Sequence, residues 1–332
     1  MVKFLVVRFS SIGDIILTTP VVRHLKRQVD QAEIHYLTKS AFATLLEENP
    51  YVDRVHSFNG DLNHTANRLR EIGFDYIIDL HHNARSERLK MKLKRMDFSV
   101  KKLNFQKWLY VNLRIDRLPD LHMVDRNLDT IRNFISERDE EGLDYFIPAI
   151  DEVNTDSLPT AFRNGYIALA IGAQHLTKRL PEELLIELCR SLNHPVVILG
   201  GNEDQHIAES VLQALPENNI LNRCGVLNIH QSASLVRQSR LLITHDTGLM
   251  HIGAAFRKKI MSIWGNTVPK FGMYPYKADQ ASIQFEVEGL RCRPCSKIGF
   301  QECPKGHFKC MREQDIGGIS RAAQRLFETT VQ

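Results

Sequence analysis

One carboxylate stands apart near the start of the chain. Asp14 ends the segment Arg8-Phe9-Ser10-Ser11-Ile12-Gly13-Asp14, which follows an apolar run and opens onto a helix-like stretch. At a helix start a carboxylate caps free N–H groups and complements the dipole, a contribution of roughly 0.5–2 kcal/mol. At the floor of a substrate site the same group would be a general base. Asp14→Asn separates the roles, because asparagine caps about as well but takes no proton. The segment lacks G-x-G-x-x-G, and no G-x-x-x-x-G-K-[ST] occurs in the chain. A common dinucleotide fold and a P-loop nucleotide hydrolase both lose support.

Three further segments suit a phosphorylated ligand. In Thr244-His245-Asp246-Thr247-Gly248-Leu249-Met250-His251 an apolar run ends in an acid, and Thr247-Gly248 begin a small-residue helix. Free N–H groups and the positive end of the dipole make such a start an anion site. His251 lies one turn on from Thr247, on the same face. The plainer alternative is a capping Asp246 with His251 in the core. In His175-Leu176-Thr177-Lys178-Arg179-Leu180-Pro181 two cations precede a helix start, where the dipole disfavours them. A phosphate would offset that placement; a solvated loop pair is the common alternative. Gly200-Gly201-Asn202-Glu203-Asp204 could offer a carboxylate to ribose hydroxyls, or simply a tight turn and a helix cap.

Two clusters have no obvious place in that chemistry. Cys292-x-x-Cys295, with Cys303 and Cys310, has the residue types of a tetrahedral structural Zn²⁺ site, though not the usual paired spacing. Reduced cysteines packing an irregular loop, or a disulfide, are the alternatives. Cys189 and Cys224 read as core thiols. Between Arg85 and Arg117 eleven Lys or Arg face three acids, a local excess of +8 in a chain whose net charge is +4. That stretch fits a solvated helix face, an anionic membrane surface, an acidic acceptor or nucleic acid. No nucleic-acid motif accompanies it. Trp108 and Tyr110 lie in an apolar run and read as core.

The elements that must carry these residues form an α/β pattern. Strands are expected over Phe4–Phe9, Glu33–Leu37, Arg54–Phe58 and Tyr76–Leu80, then Tyr166–Ile171, Val196–Gly200, Leu241–Thr244 and Lys259–Trp264. Their near-continuous apolar runs suit parallel strands covered on both faces. They alternate with helical stretches such as Pro20–Val29, Pro181–Leu192 and Asp204–Leu215, which gives doubly wound sheets. The chain of 332 residues, 43% hydrophobic and 25% charged, accommodates two such domains and excludes a disordered or fibrous protein. Pro148–Gly165 is the expected divide, giving domains 1–155 and 156–332, with the last helix expected to pack back on the first. In open α/β sheets ligands bind beyond the carboxyl ends of the strands, so the segments above converge on the expected site. No apolar run reaches the ~18 residues that cross a bilayer. The apolar start is broken by Arg8 and lacks a cleavage site, so a cytoplasmic protein is expected.

Taken together, Ser10-Ser11-Ile12-Gly13-Asp14 with Thr19-Pro20, and Asp246-Thr247-Gly248-x-x-His251-x-x-Ala254-Ala255, resemble glycosyltransferase family 9, the heptosyltransferases of lipopolysaccharide inner-core synthesis. The resemblance runs through nearly the whole chain. It implies a GT-B fold, two Rossmann-like domains facing across a cleft, with an acceptor-binding N-terminal half and a C-terminal half for an ADP-activated sugar. By position it makes Asp14 the base. Thr177, Lys178, Glu203, Asp246, Thr247, Gly248 and His251 become the donor side, and Ser10, Ser11, Gly13, Arg85 and Arg88 the acceptor side. Leu180-Pro181 stands where the family commonly has an aromatic-Pro pair, which leaves the sugar open. The implied reaction is metal-independent, inverting transfer of heptose from ADP-heptose to an anionic lipopolysaccharide acceptor, with no cofactor beyond the ADP-sugar. Peripheral contact with the cytoplasmic face of the inner membrane, and no nucleic-acid partner, are expected with it. The alternatives are transfer from another nucleotide sugar, a GT-B-like epimerase, or a nucleic-acid-binding protein using residues 85–117.

Overall fold

The apolar runs become parallel strands, because a strand buried on both faces must be hydrophobic along its whole length. The computed structural model describes residues 1–329, which divide into two units. One unit holds Met1–Leu103 and Leu121–Phe146. Its sheet contains β1 (Val2–Val7), β2 (Ala32–Lys39), β3 (Arg54–Phe58), β4 (Tyr76–Asp79) and β5 (Met96–Ser99), in the order β3-β2-β1-β4-β5. Every pairing is parallel, with Val7 opposite Asp79 where β1 meets β4. The order reverses between β1 and β4, so their carboxyl ends form the switch point at which such sheets bind ligands. Leu5, Val7, Leu37, Ile77 and Leu89 belong to one fully buried cluster. The helix Thr19–Gln28 is tied down by Arg23, which is fully buried and bonds Asp139, Asp144 and the Gly142 carbonyl.

The second unit holds Asn104–Asp120 and Ile147–Gln332. Its strands are β6 (Ile167–Ala170), β7 (Val196–Leu199), β8 (Ile220–Asn222), β9 (Leu241–His245), β10 (Ile260–Trp264) and β11 (Ile283–Glu286). They run β11-β10-β9-β6-β7-β8, again all parallel. The reversal here lies between β6 and β9, where Ala170 sits opposite Thr244. The loops after these two strands begin at Ile171 and Asp246. The last helix, Ile316–Glu328, packs on the helix Glu182–Ser191 and on β9, within this unit. The reason is its apolar stripe, Ile319, Ala322, Ala323 and Leu326, which joins the second unit's core.

Two expectations change. Residues 104–120 lie in the first half of the chain yet belong to the second unit. Lys107 sits 5.5 Å above the Phe271 ring, Tyr110 meets the same ring edge-on, and Arg114 donates to the carbonyls of Arg291 and Pro294. Trp108 is not core: it is 51% exposed and stacks on exposed Phe105, because the helix Asn104–Leu113 turns its Lys107–Tyr110 side towards Phe271. Cys189 and Cys224 are buried thiols as expected. Among the described residues no helix is long and apolar enough to cross a membrane.

Candidate functional site

In the first unit, Asp14 sits in the first turn of the helix Ile12–Ile16, immediately beyond β1. Its Oδ2 accepts from the Ser11 amide (3.2 Å) and the Ser11 hydroxyl (2.9 Å), so the capping role read from the sequence is realised. Its Oδ1 lies 2.5 Å from Nη2 of Arg8. Burial alone would raise the Asp14 carboxyl, but the Arg8 charge and the Ser11 hydrogen bonds outweigh it and hold the group at about 2. Arg8 itself is fixed by backbone: Nε donates to Ser10 O (2.8 Å) and Nη1 to Leu80 O (2.6 Å). Sequence reasoning missed the role of Arg8, because its aim at Asp14 is set by the carbonyl of Leu80, 72 residues away in the chain.

The neighbouring carboxyl end of β4 contributes to the same surface. His81 packs edge-on against Phe9, and burial, reinforced by the Arg8 charge, lowers its pKa to about 4, so it is neutral near pH 7. Arg85, exposed at the start of the helix Ala84–Leu93, lies over the rings of Phe9 (5.5 Å) and Phe58 (5.3 Å). Arg88 is exposed on that helix, whereas Gly13 is buried. Ser10 contributes its carbonyl to Arg8. Part of the basic stretch is internal: Lys90 is 7% exposed and bonds Asp97, Ser99 and Glu87.

In the second unit the loops after β6 and β9 meet. Lys178 ends the short turn Leu176–Lys178, and its Nζ lies 2.5 Å from Asp246 Oδ2. Thr267 donates to the same oxygen from 3.0 Å. The acid that looked repulsive towards a diphosphate is therefore neutralised by the lysine it holds. Asp246 is two residues from the N-terminus of the helix Gly248–Ala255, whose cap is Thr247. The Thr247 hydroxyl is 3.4 Å from that of Thr244. His245, buried and pushed down to about 4 by burial, accepts from the Leu180 amide and fastens the Lys178 turn to β9. His251 is 2% exposed and lies on the core side of its helix.

Three sequence expectations need correcting here. Thr177, expected as a phosphate ligand, is 2% exposed; its hydroxyl bonds Asn266 Oδ1 (3.0 Å) and accepts from the Phe300 amide (2.8 Å). It fixes the turn that carries Lys178. A Cβ on Gly265 would fall 2.4 Å from the Thr177 carbonyl, so the close approach needs glycine. Arg179 needs no phosphate, since it pairs with Asp204 (2.6 Å) and the Ala173 carbonyl. Asp204 is buried and also accepts from the Gly201 amide, which leaves exposed Glu203 as the carboxylate facing solvent at that turn.

The third correction concerns zinc. Cys292, Cys295, Cys303 and Cys310 are free thiols, and among the described residues no group of three or more His, Cys, Asp or Glu is disposed to hold a metal ion. Burial pushes the Cys310 thiol up to about 12 and raises that of Cys295.

Two groups beside Lys178 had no signal in the sequence. Both ring nitrogens of His175 and the Asn266 Nδ2 are buried without a hydrogen-bond partner. Burial lowers the His175 pKa, and the Lys178 charge adds to it. Orphaned donors at a strand-end site are what a ligand would satisfy.

The chain resembles known proteins in family and fold. The profile of glycosyltransferase family 9 (heptosyltransferase) matches residues 63–302. Lipooligosaccharide heptosyltransferase 2 of Haemophilus influenzae is 31% identical over 120 residues, covering 35% of this chain and 34% of that one. The protein of the same name from Haemophilus ducreyi is 24% identical over 315 residues, 86% of this chain and 89% of its own. The chain thus spans about a third of the first relative and most of the second. Among solved structures, the glycosyl transferase family 9 protein of Veillonella parvula superposes with a TM-score of 0.79 at 21% identity, covering 98% of this chain and 97% of that one. E. coli ADP-heptose lps heptosyltransferase II gives 0.73 at 19% identity, with 98% of each covered. The fold is therefore GT-B, two Rossmann-like units, as the sequence led one to expect.

Proposed function

The chain belongs to glycosyltransferase family 9, and from that premise we propose that it transfers heptose from ADP-heptose to an anionic lipopolysaccharide inner-core acceptor, with inversion at the anomeric carbon. The observation that carries the reading is Lys178, held by Asp246 beside the N-terminus of the helix Gly248–Ala255. A cation and free N–H groups at one point suit a diphosphate leaving group.

The second unit is assigned the donor. Lys178, Thr247 and the Gly248 backbone would stabilise charge growing on the diphosphate, with Glu203 near the ribose. His251 supports the helix from below, and Thr177 positions the lysine. The first unit is assigned the acceptor, with Ser10, Ser11, Gly13, Arg85 and Arg88 lining its side. In the transfer, the acceptor oxygen forms its bond to the anomeric carbon and its proton passes to Asp14. The bond from that carbon to the phosphate oxygen breaks, and its electron pair stays on ADP. Positive charge comes from side chain and backbone, so the reading requires no divalent metal and no cofactor beyond the ADP-sugar. It assigns the protein to the cytoplasmic side of the inner membrane, at most peripheral on it.

Thermal-shift and mass-spectrometric screening against ADP-, UDP- and GDP-sugars tests the donor. A ligand at 100 times its Kd stabilises the folded state by about 2.7 kcal/mol, readily seen as a raised Tm. ADP-sugars are expected to give that shift and the others little. A preference for UDP or GDP would overturn the donor assignment.

A further inference from the structure

The Arg8 guanidinium is built as an anion site, and the protein's own base occupies it. Two of its nitrogens are committed to backbone carbonyls, Nε to Ser10 O and Nη1 to Leu80 O, so the group cannot swing away. Only the Nη2 edge faces a carboxylate, and that carboxylate is Asp14 Oδ1. A base whose proton-accepting oxygen is bound to a guanidinium is poorly placed to take a proton from a sugar hydroxyl. We propose that Arg8 binds an anionic substituent of the acceptor sugar, a carboxylate or a phosphate near the attacked hydroxyl, and that this substituent replaces Asp14 on the guanidinium and so frees Asp14 Oδ1 to act as base.

The inference rests on the transferase reading above and adds a trigger to it. Asp14 would not drift once released, because Oδ2 keeps its two bonds from Ser11. The exchange is electroneutral: one anion leaves the guanidinium as another arrives. It also makes Asp14 a stronger base, since the burial that favours its protonated form is no longer opposed by Arg8. The other groups facing this point do not replace Arg8. His81, from the end of β4, is neutral near pH 7; Tyr36, from β2, stays protonated because burial raises its pKa. Arg85, over Phe9 and Phe58, offers a second cation to the remainder of an anionic acceptor. A neutral sugar would reach an Asp14 still held by Arg8, so the pair discriminates against acceptors lacking the charge.

The test compares wild type, Arg8→Gln and Arg8→Lys on three acceptors, with ADP-heptose as donor. The acceptors are lipopolysaccharide truncated to its acidic inner-core sugars, the same material with sugar carboxylates reduced to alcohols, and the same material dephosphorylated. Wild type is expected to lose on the order of 10²-fold in kcat/KM on one of the two altered acceptors, which identifies the anion. Arg8→Gln should be slower on all three but lose that discrimination, and Arg8→Lys should keep part of it. A structural role for Arg8 would depress all acceptors equally and leave the ratio intact. In wild type the acid limb of kcat, which reports the bound complex, should lie at higher pH than that of kcat/KM, which reports the free protein. In Arg8→Gln the two limbs should coincide.

Unaltered discrimination in Arg8→Gln, or equal wild-type rates on all three acceptors, would overturn the exchange and leave the transferase reading standing. Should Arg8→Gln not fold, discrimination reduced but not abolished in Arg8→Lys supports the exchange, and discrimination with coincident limbs in wild type overturns it. Wild type that transfers to none of the three overturns the reading and the exchange together.

Discussion

Asp14 carries opposite demands: its helix and Arg8 favour a fixed carboxylate, while proton transfer favours a free one. The ion pair has a consequence for stability. The folded-state pKa of about 2 lies below the ordinary value of 3.8. The net stabilisation of the ionised carboxylate by Arg8 and Ser11 is thus fully present above about pH 4 and is lost as pH falls towards 2, an effect of about 2 kcal/mol. Asp14→Asn keeps the cap but not the ion pair. It should unfold at lower urea than wild type at pH 7, with the gap narrowing as the pH drops from 5 to 3. A gap independent of pH would mean the ion pair contributes nothing. From sequence alone the substitution looked neutral for stability; Arg8, invisible as a partner there, changes that. Lys178 and Asp246 are the counterpart in the second unit, 15% and 10% exposed. Lys178→Met leaves a half-sequestered carboxylate uncompensated, so adding Asp246→Asn should restore part of the lost stability. A coupling of about 1–3 kcal/mol is expected in a double-mutant cycle by urea denaturation. Strict additivity would show that the two do not interact.

At the scale of elements, both candidate regions sit where the strand order reverses, which explains why loops distant in sequence share a point. The strands with continuous apolar runs were legible to within a residue or two, as with Val196–Leu199 and Leu241–His245. β5, β8 and β11 were not. Each is short, lies at a sheet edge with one neighbour, and is at best half-buried, so neither length nor hydrophobic pattern marks it. Asp14, Lys178, Asp246 and Thr247 were legible because small or polar residues ended an apolar run. Thr267, His245 and Asn266 were not, since their roles come from long-range packing. The Lys178 turn depends on such packing. Thr177→Val, nearly isosteric, strips the acceptor from the part-buried Phe300 amide and the donor from Asn266 Oδ1, and should cost about 1–3 kcal/mol. It should also raise the donor KM with little change in the acceptor KM. A raised acceptor KM with an unchanged donor KM would contradict the positioning role.

For the whole molecule, the doubly wound class and the presence of two sheets were readable from alternation of strands and helices. The membership of residues 104–120 was not, because one amphipathic helix rich in Lys and aromatics fits either core equally well by pattern. In the proposed function each unit carries one half of a group transfer, and the central claim is that the transfer happens. It is tested most directly by incubating the protein with ADP-heptose and lipopolysaccharide truncated to its acidic inner-core sugars, then reading the acceptor by mass spectrometry. The account predicts that the acceptor gains one heptose residue as ADP appears in equal amount, and that Asp14→Asn slows this by on the order of 10²-fold or more. An acceptor of unchanged mass, or ADP released at the same rate with and without it, would contradict the account.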